Sequence, residues 1–367
     1  MNQTDRLENC FADKTVLVTG HTGFKGSWLS AWLHELGARV VGVSDRVPTD
    51  PANFDASRLH DLVVDHRCDL GDREKLQKIV EKTRPDFIFH LAAQALVRES
   101  YVRPVETLMT NIMGTAHVLD SARALEHPCV TVLITSDKCY DNVEWEWGYR
   151  ETDRLGGKDP YSASKGGAEL VIRTFFESWL RDSNIRVGIA RAGNVIGGGD
   201  WAANRLVPDC VRAWSDEKSV VINNPAATRP WQLVLEPLSG YLALAMALAD
   251  APTLQGEAFN FGPLAENDYS VAELINAMQD QWDHVRWEAA ADTAERVYEA
   301  GLLKLNCDKA LHHLAWRPTY GFEETVTATM AWYQQYYEGR SDMQEFSFQQ
   351  IEQYRQTART RGLAWAM

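Results

Sequence analysis

The residues best suited to catalysis lie between positions 135 and 165. Ser136, Asp137 and Lys138 directly follow a short apolar run, and Tyr161 and Lys165 are spaced four apart where a helical pattern begins. Residues four apart share one face of a helix, so the phenol and the ammonium can address the same small volume. We expect the ammonium to lower the pKa of the phenol, and Ser136 to hydrogen-bond the substrate oxygen whose proton the phenolate takes. The pattern predicts a proton-transfer site for an alcohol or a ketone.

A glycine-rich loop near the N-terminus predicts a dinucleotide site. A β-branched strand at 15–19 precedes the loop, an apolar helix at 27–33 follows it, and a second strand covers 39–43. This unit places a pyrophosphate on the N-terminus of the helix. The loop has the spacing G-x-x-G-x-x-G, whereas the simple dinucleotide fingerprint is G-x-G-x-x-G. Its candidate coenzyme contacts are Gly20, Gly23, Phe24 and Gly26.

Two acidic residues after the next strands are candidates for binding the adenosine half of the coenzyme. Asp45 follows the second strand and could bind ribose hydroxyls, but Arg46 could equally bind the 2′-phosphate of NADP. NAD is therefore the preferred coenzyme, and NADP stays open. Asp69 follows a predicted third strand at 62–64, and it could either bind the adenine or cap the helix at 72–82.

A buried strand at 86–90 leads into a segment of small and apolar residues. Leu91 and Ala93 in this segment would let a coenzyme approach the backbone closely, as expected at the carboxyl edge of a parallel sheet. Asn111 lies in a predicted long helix at 104–124, where a buried asparagine often only satisfies a bend.

Short apolar strands alternate with amphipathic helices along much of the chain. Further strands are predicted at 130–135, 186–191 and 258–262, and further helices at 161–181 and 237–249. This alternation is typical of an α/β fold with a doubly wound parallel sheet, the Rossmann architecture. We predict a dinucleotide-binding domain at 1–191, to which about 230–262 returns, and a smaller C-terminal substrate-binding domain at 192–229 and 263–367.

Two arginines beyond the last core strand predict contacts with an anionic substrate. Arg205 and Arg229 lie in loop-like segments after a glycine-rich stretch at 192–201, each beside apolar or aromatic residues. A guanidinium can bind two phosphate oxygens at once, so these side chains fit clamps on a diphosphate.

The composition sets the broad class of the protein. The chain has 367 residues, of which 45% are hydrophobic, and a formal net charge of −14, which argues against a nucleic-acid-binding surface. No apolar run is long enough to span a membrane, and the polar segment 1–13 lacks the apolar core of a secretory signal. The six cysteines are scattered without metal-ligand spacing. We therefore expect free thiols, no metal site and a cytoplasmic location.

Taken together, these motifs resemble the extended short-chain dehydrogenase/reductases over most of the chain. The resemblance is carried by the glycine loop, Leu-Ala-Ala at 91–93, Asn111, Ser136 and Tyr-x-x-x-Lys at 161–165. Within that family, the segments 18–29, 134–140 and 191–201 are similar to the dehydratases that act on CDP-glucose. The pair Asp-Lys at 137–138 is typical of that branch, whereas dTDP-glucose dehydratases carry Asp-Glu and 4-epimerases lack an acid/base pair there.

The resemblance implies dehydration of CDP-D-glucose to CDP-4-keto-6-deoxy-D-glucose with tightly bound NAD. Tyr161 would take the proton of the sugar 4-OH, Lys165 would hold the nicotinamide ribose, and Asp137 would protonate the departing 6-OH. Lys138 would either remove the C5 proton, which requires a depressed pKa, or stabilise the enolate. Asn111 would belong to the coenzyme site. The implied substrate contacts are Gln94, Asn194, Arg205 and Arg229.

Two other functions remain as alternatives. A nucleotide-sugar 4-epimerase or 4-ketoreductase could use the same tyrosine and lysine, but it would need neither the acid Asp137 nor a C5 base. A nicotinamide-sensing binding protein would be expected to lose Tyr161 or Lys165, and both are present. The resemblance also implies a homodimer or homotetramer, and a product used in deoxysugar biosynthesis such as that of the lipopolysaccharide O-antigen. It implies no nucleic-acid or membrane partner.

Overall fold

The computed structural model of the protein describes residues 6–282, 285–290, 302–340 and 342–367. The remaining positions, which include parts of the predicted N-terminal segment and of both predicted domains, lie outside the described residues. Thirteen strands are present in this part of the chain. They are β1 Thr15–Thr19, β2 Arg39–Ser44, β3 Val64–Arg67, β4 Phe87–His90, β5 Cys129–Ile134, β6 Ile185–Arg191, β7 Val195–Ile196, β8 Val220–Ile222, β9 Thr228–Arg229, β10 Gln232–Leu233, β11 Ala258–Asn260, β12 Tyr269–Ser270 and β13 Trp287–Ala289.

Fourteen α-helices accompany these strands in the described residues. They are α1 Arg6–Phe11, α2 Phe24–Glu35, α3 Asn53–Ala56, α4 Arg73–Thr83, α5 Val97–Val102, α6 Pro104–Leu108, α7 Gly114–Arg123, α8 Pro160–Phe175, α9 Leu206–Ser215, α10 Leu235–Asp250, α11 Val271–Gln279, α12 Asp308–Leu314, α13 Phe322–Glu338 and α14 Met343–Thr360. None of them is both long and apolar enough to cross a membrane.

The main sheet has seven parallel strands in the order β11-β6-β5-β4-β1-β2-β3. One face is covered by α2 and α10 together with the C-terminal helices α13 and α14, and the other by α4, α7 and α8. The predicted doubly wound parallel sheet is therefore confirmed. Its central strands are almost wholly buried and rich in valine and isoleucine, as expected for strands covered on both faces.

The third strand was predicted two to three residues too early. Leu62 and Val63 lie just before the strand, after a short 3₁₀ turn at Leu59–Asp61, and the strand itself is Val64–Arg67. Because β3 lies at the edge of the sheet and exposes most of its side chains, its sequence is polar and the apolar signal falls outside it.

Two predicted long helices contain a wide turn. The segment predicted at 104–124 is interrupted by a π-helical turn at Met109–Met113, and the segment predicted at 161–181 ends in one at Phe176–Leu180. A π-helical turn inserts one extra residue without leaving the helical path, so hydrophobic periodicity does not reveal it. The first of these turns contains the buried Asn111.

Candidate active site

A short turn at the carboxyl end of β5 carries three of the predicted catalytic residues. Ser136 caps the 3₁₀ turn Asp137–Cys139, and its hydroxyl accepts the Lys138 N–H at 3.2 Å. The same hydroxyl donates to Asp137 Oδ1 at 2.7 Å. We call residues 136–139 the catalytic turn. Its hydrogen bonds make the serine hydroxyl and the aspartate carboxyl one coupled unit.

The start of α8 places the predicted tyrosine and lysine beside this turn. Asp159 caps the helix by accepting the Ser162 N–H at 2.9 Å and the Ser162 hydroxyl at 2.6 Å, and Pro160 occupies the first helical position. Tyr161 and Lys165 are both buried on the face toward the sheet, with Lys165 Nζ 6.0 Å from the centre of the Tyr161 ring. The spacing prediction is confirmed by this arrangement.

The expected lowering of the phenol pKa is wrong for this pocket. Burial raises the pKa of Tyr161 to about 12, although the hydroxyl of Ser136 and the charge of Arg205 oppose it. Burial also lowers the pKa of Lys165 to about 8, which weakens the cation that was expected to favour the phenolate. Removing both groups from water disfavours their charged forms, and this effect exceeds their mutual attraction.

The carboxyl of Asp137 is enclosed by the loop that follows β6. A Cβ on Gly193 would lie 2.0 Å from Asp137 Oδ2, so only glycine fits at this position. Asn194 adopts a left-handed backbone with φ +54°, and its Nδ2 lies 3.4 Å from the same oxygen. The amide predicted to bind substrate therefore also contacts the predicted general acid.

A cavity opens directly from Asp137 toward the C-terminal part of the chain. Its wall combines residues of the loop after β6, the loop after β11 and the segment 303–305. The lining residues are Asp137, Gly193, Asn194, Pro230, Gln232, Gly262, Pro263, Leu264, Ala265, Asn267, Leu303, Lys304 and Leu305. Two of the predicted site residues, Asp137 and Asn194, thus face one common space.

The two predicted phosphate clamps lie in different surroundings. Arg205 is held by Asp200, whose Oδ2 accepts from the guanidinium at 2.9 Å, and its charge acts on Tyr161. Arg229 lies in the small strand β9, where its guanidinium donates to the Thr228 carbonyl at 2.7 Å. Arg205 is therefore close to the reacting groups, whereas the adjacent Pro230 connects Arg229 with the cavity.

Lys25 is a cation of this site that the sequence analysis missed. It lies in the first turn of α2, and the loop after β7 packs on this helix through a 2.9 Å hydrogen bond from the Trp28 indole to the Gly198 carbonyl. Burial and the charge of Arg205 lower the pKa of Lys25 to about 7, opposed by Asp137. The lysine inside the glycine motif was the available signal, since most positions of such a loop need no charge.

The glycine loop has the shape that a dinucleotide requires. Gly20 has φ +76°, and a Cβ there would lie 2.7 Å from the Ala92 nitrogen. A Cβ on Gly26 would lie 2.0 Å from the Gly20 carbonyl oxygen, and Gly23 precedes Phe24 at the start of α2 without any side-chain cap. Free backbone N–H groups at a helix N-terminus bind phosphate oxygens, so this loop fits the pyrophosphate of a dinucleotide coenzyme.

Strand β2 ends at Ser44, and the candidate acidic residue Asp45 directly follows it. The Ser44 hydroxyl faces inward and lies 3.0 Å from Nδ1 of the buried His21. Asp45 is exposed, and its carboxylate lies 3.6 Å from the guanidinium of Arg46. Asp45 for the ribose of NAD and Arg46 for the 2′-phosphate of NADP both lie at the carboxyl end of β2, where a coenzyme would bind. The two side chains form an ion pair with each other.

The residue predicted for the adenine lies in a tight turn rather than at a helix cap. Asp69 Oδ1 accepts the Gly71 N–H at 2.7 Å, and the helix α4 is capped instead by Asp72, whose side chain accepts the Lys75 N–H. The alternative in which Asp69 itself caps this helix is wrong. Its carboxylate lies in the turn that follows β3.

The segment after β4 is held by a buried polar chain. The Thr19 hydroxyl lies 2.7 Å from His90 Nδ1 and accepts the Ala92 N–H at 3.2 Å. This anchors the backbone between Leu91 and Ala93 against Gly20, at the carboxyl edge where the sequence predicted close approach by a coenzyme.

Asn111 and Gln94 are linked to each other within the protein. Asn111 donates to the Gln94 carbonyl at 3.0 Å and to the Ser164 hydroxyl at 2.8 Å, and it accepts the Gln94 N–H at 2.8 Å. The Gln94 amide donates to the Thr107 hydroxyl and the Leu96 carbonyl. Asn111 therefore ties the segment after β4 to helix α8, a positional role that the sequence did not show. Their contacts with coenzyme and sugar remain predictions.

The comparisons with known proteins agree with this geometry. A family model described as GDP-mannose 4,6 dehydratase matches residues 17–329. The chain belongs to this family. It is 46% identical over 353 residues to the CDP-glucose 4,6-dehydratase of Salmonella typhimurium, covering 95% of this chain and 98% of that one. The predicted membership in the extended short-chain dehydrogenase/reductases is thereby confirmed.

Solved structures of relatives share the fold. A UDP-glucose 4-epimerase from Stenotrophomonas maltophila, with bound NAD and formylated UDP-arabinopyranose, has a TM-score of 0.77 at 20% identity and covers 89% of this chain and 99% of its own. The UDP-glucuronic acid 4-epimerase of Bacillus cereus, in complex with UDP-glucuronic acid and NAD, has a TM-score of 0.73 at 21% identity, with 88% and 99% covered. At these identities the likeness shows the architecture alone.

Proposed function

We propose that this enzyme, a lyase, dehydrates CDP-D-glucose to CDP-4-keto-6-deoxy-D-glucose. The observation that carries the proposal is the catalytic turn, which places an acid and an amine, Asp137 and Lys138, directly after the Ser136 hydroxyl and beside Tyr161. An elimination needs an acid for the leaving group and a base for a carbon-bound proton, whereas an epimerisation at C4 needs neither. The 46% identity to a CDP-glucose 4,6-dehydratase supports the same reaction.

The coenzyme proposed for this site is NAD, retained between turnovers. Gly20, Gly23, Phe24 and Gly26 would hold its pyrophosphate, and Asp45 would bind the adenosine ribose. The further proposed contacts are Asp69, Leu91, Ala93, Asn111, Tyr161 and Lys165. When bound, NAD would supply a reversible hydride acceptor, which a reaction without net change of oxidation state at the sugar requires.

The first chemical task of the protein is to move the proton of the sugar 4-OH. Tyr161 is the acceptor, Ser136 holds the oxygen from which the proton leaves, and Lys165 orients the coenzyme ribose. Because burial raises the pKa of Tyr161 to about 12, the pocket must stabilise the phenolate when substrate binds. Arg205 and Ser136 contribute to that stabilisation, since both lower the phenol pKa.

The second task is the removal of water across C5 and C6. A ketone at C4 acidifies the C5 proton, which Lys138 removes or whose enolate Lys138 stabilises. Asp137 gives its proton to the departing 6-oxygen, so the C6–O bond breaks and water leaves. The Asp137 carboxyl is almost fully buried, and the nearby amide of Asn194 can hold it in place. The product has the same overall oxidation state as the substrate.

The small cavity next to Asp137 marks one wall of the proposed site for the sugar nucleotide. Asn194 lines it directly, and Arg205 after β7 and Arg229 in β9 would neutralise the diphosphate. Gln94 would approach the sugar from the segment after β4. The domain boundaries predicted from the sequence, with the substrate part at 192–229 and 263–367, belong to the same proposal.

A homodimer or homotetramer is proposed on the helices that carry Asn111 and Tyr161. Large apolar side chains are exposed along one stretch of neighbouring helices α5 to α8. These residues are Val102, Val105, Met109, Met113 and Leu170. A second copy of the chain would cover this surface and remove it from water. A cytoplasmic location and a product used in deoxysugar synthesis for the lipopolysaccharide O-antigen stay predictions.

The decisive experiment is incubation with CDP-glucose in deuterated water, followed by mass spectrometry of the product. We expect loss of one water and incorporation of one solvent deuterium, located at C5. Recovery of CDP-glucose and CDP-galactose of unchanged mass would replace the dehydratase by a 4-epimerase. Turnover of dTDP-glucose but not CDP-glucose would keep the mechanism and overturn the proposed nucleotide.

A further inference from the structure

Behind the catalytic turn lies a buried polar network that the chemistry described above does not use. Its centre is the ion pair between Arg191, at the end of β6, and Glu169 on α8, two residues that are each 3% exposed. Arg191 Nε and Nη2 donate to the two carboxylate oxygens of Glu169, both at 2.7 Å. Such a bidentate ion pair fixes the relative orientation of the strand and the helix and also neutralises the two buried charges.

This ion pair holds both ends of the catalytic turn. Thr135, which directly precedes the turn, donates its hydroxyl to Glu169 Oε1 at 2.6 Å. Tyr140, which directly follows it, accepts from Arg191 Nη1 at 2.7 Å through its hydroxyl. Glu169 lies eight residues after Tyr161 and four after Lys165 on the same helix. The pair therefore sets the distance between the turn that carries Asp137 and the helix that carries the phenol.

The Tyr140 hydroxyl continues the network toward the substrate cavity. It donates to Asn260 Oδ1 at 2.8 Å, at the end of β11. Asn260 Nδ2 donates to the carbonyls of Tyr149 at 2.8 Å and of Asn306 at 3.1 Å. Tyr149 in turn pairs with the cavity wall, because its N–H donates to the Lys304 carbonyl at 2.8 Å.

We propose, resting on the dehydration proposed above, that Tyr140 is a positioning residue that relays the placement of segment 303–306, which carries the cavity wall at 303–305, to the catalytic turn. Its hydroxyl links two side chains of neighbouring strands, since it accepts from Arg191 and donates to Asn260. Tyr140 itself is fully buried, so it acts through these partners. A substrate that seats correctly against the wall thereby stabilises the arrangement in which Ser136 and Asp137 face the sugar.

The energetic reason is that a hydroxyl bound on both sides cannot be removed without leaving two buried groups unsatisfied. Phenylalanine at this position would leave an N–H of Arg191 and the Asn260 carbonyl oxygen without their partner. The turn would then be free to shift, and small displacements of catalytic groups cost large factors in rate.

The first test compares Tyr140→Phe with Tyr354→Phe. Tyr354 is equally buried, and its hydroxyl is hydrogen-bonded to Glu236 at 2.7 Å under the C-terminal helices, so it is a matched control for loss of a buried, hydrogen-bonded phenol oxygen. We expect kcat to fall about tenfold for Tyr140→Phe with KM changed less than twofold, and both to stay within twofold for Tyr354→Phe. Equal kcat values for the two variants would overturn the proposal.

The second test is a double-mutant cycle with Asn260→Asp, which keeps the acceptor for Tyr140 but loses the amide hydrogens that hold the wall. We expect Asn260→Asp to have a higher KM and a lower kcat than wild type. The kcat of the double variant should lie within about twofold of the kcat of the slower single variant. Residues in one network show such non-additivity. If the fold-decreases in kcat of the two single variants multiply in the double variant, the two residues act independently and the proposed relay is wrong.

Amide hydrogen exchange separates this inference from the proposed reaction. We expect Asn260→Asp to speed exchange both at 303–306 and at the N–H groups of Lys138 and Cys139, and Tyr140→Phe to speed it at the catalytic turn. Tyr354→Phe should change neither. If wild-type enzyme fails to convert CDP-glucose, the proposed function fails while this readout still decides the relay. Unchanged exchange at the turn in both variants would refute the relay even if the dehydration is confirmed.

Discussion

Two buried glutamates, in two different parts of the molecule, have different hydrogen-bond partners. Glu169, behind the catalytic turn, is 3% exposed and forms a two-pronged ion pair with Arg191. Glu236, on α10 where the C-terminal helices dock, is 1% exposed and accepts only from neutral donors. These donors are the N–H groups of Thr319 at 2.8 Å and Tyr320 at 2.6 Å, and the Tyr354 hydroxyl at 2.7 Å.

The difference is between a carboxylate that is paired with a cation and one that is held by neutral donors. Burial raises the pKa of Glu236 to about 7, and its neutral hydrogen-bond donors only partly oppose this. Glu169 instead has a guanidinium that cannot lose its proton in the accessible pH range. Glu169 is therefore balanced by a permanent positive charge, whereas Glu236 under α14 accepts only from neutral donors and titrates near neutrality.

The largest expected effect is on the catalytic half and concerns activity alone. Tyr161→Phe removes the acceptor of the substrate proton, so we expect kcat to fall about 10³-fold while the free energy of unfolding changes by about 1 kcal/mol or less. Steady-state kinetics and urea denaturation measure the two effects. Activity within tenfold of wild type would show that another group takes the 4-OH proton.

Glu169→Gln tests the fixed charge. The substitution leaves the Arg191 guanidinium buried without an anion, and breaking a buried pair in this way costs about 3–5 kcal/mol. Urea denaturation at pH 7 measures the loss. A cost below about 1 kcal/mol would mean that the ion pair between Glu169 and Arg191 does not stabilise the folded protein.

Glu236→Gln tests the titrating charge. Between the unfolded pKa of 4.5 and the folded value of about 7, the folded protein keeps a proton on Glu236 that the unfolded chain has lost. Wild-type stability should therefore fall as pH rises through this interval, by up to about 3 kcal/mol from this group. The variant should lack that contribution, and it should be less stable by about 1–3 kcal/mol at pH 5, because one backbone N–H loses its acceptor.

The matching measurement is the free energy of unfolding of both proteins at several values between pH 5 and pH 8. The wild-type curve minus that of the variant should decline with rising pH. A difference that stays constant, or grows toward pH 8, would show that Glu236 is ionised throughout and would remove the contrast with Glu169.

The smallest effect on stability is expected for an ion pair that is exposed to solvent. Arg6 and Asp250 form an ion pair at 3.2 Å with side chains that are 60% and 68% exposed. Arg6→Ala should change the free energy of unfolding by less than about 1 kcal/mol, because water screens such pairs. A larger loss would show that geometry alone, without burial, stabilises ion pairs in this protein.

Much of the fold followed from local patterns. Short apolar runs predicted the buried strands of the sheet, including the last strand at Ala258–Asn260, because strands covered on both faces need apolar side chains. Strand β3 was misplaced for the converse reason, since most of its side chains are exposed and few of them are apolar. The π-helical turn around Asn111 was missed because one inserted residue leaves the apolar pattern almost unchanged.

The catalytic residues were found by type and spacing, but their energetics were not. Tyr161 and Lys165 share a helix face because the helix period requires it, whatever surrounds them. The pKa of the phenol depends on how much water the folded chain removes, and burial moved it opposite to the expected direction. Lys25 and the predicted Asn194 meet the other site residues only because the loop after β7 packs on α2 and the loop after β6 lies beside Asp137.

The sequence by itself thus determined the order of chemical groups along the chain and the local elements that present them, since helix and strand periods act over a few residues. Only the tertiary structure decided which distant groups meet. Glu169, Arg191 and Asn260 lie on three separate elements, Tyr140 directly follows the catalytic turn, and no local spacing relates the four residues. They come together because parallel strands end at one edge of the sheet, where buried polar groups must find partners in each other rather than in water.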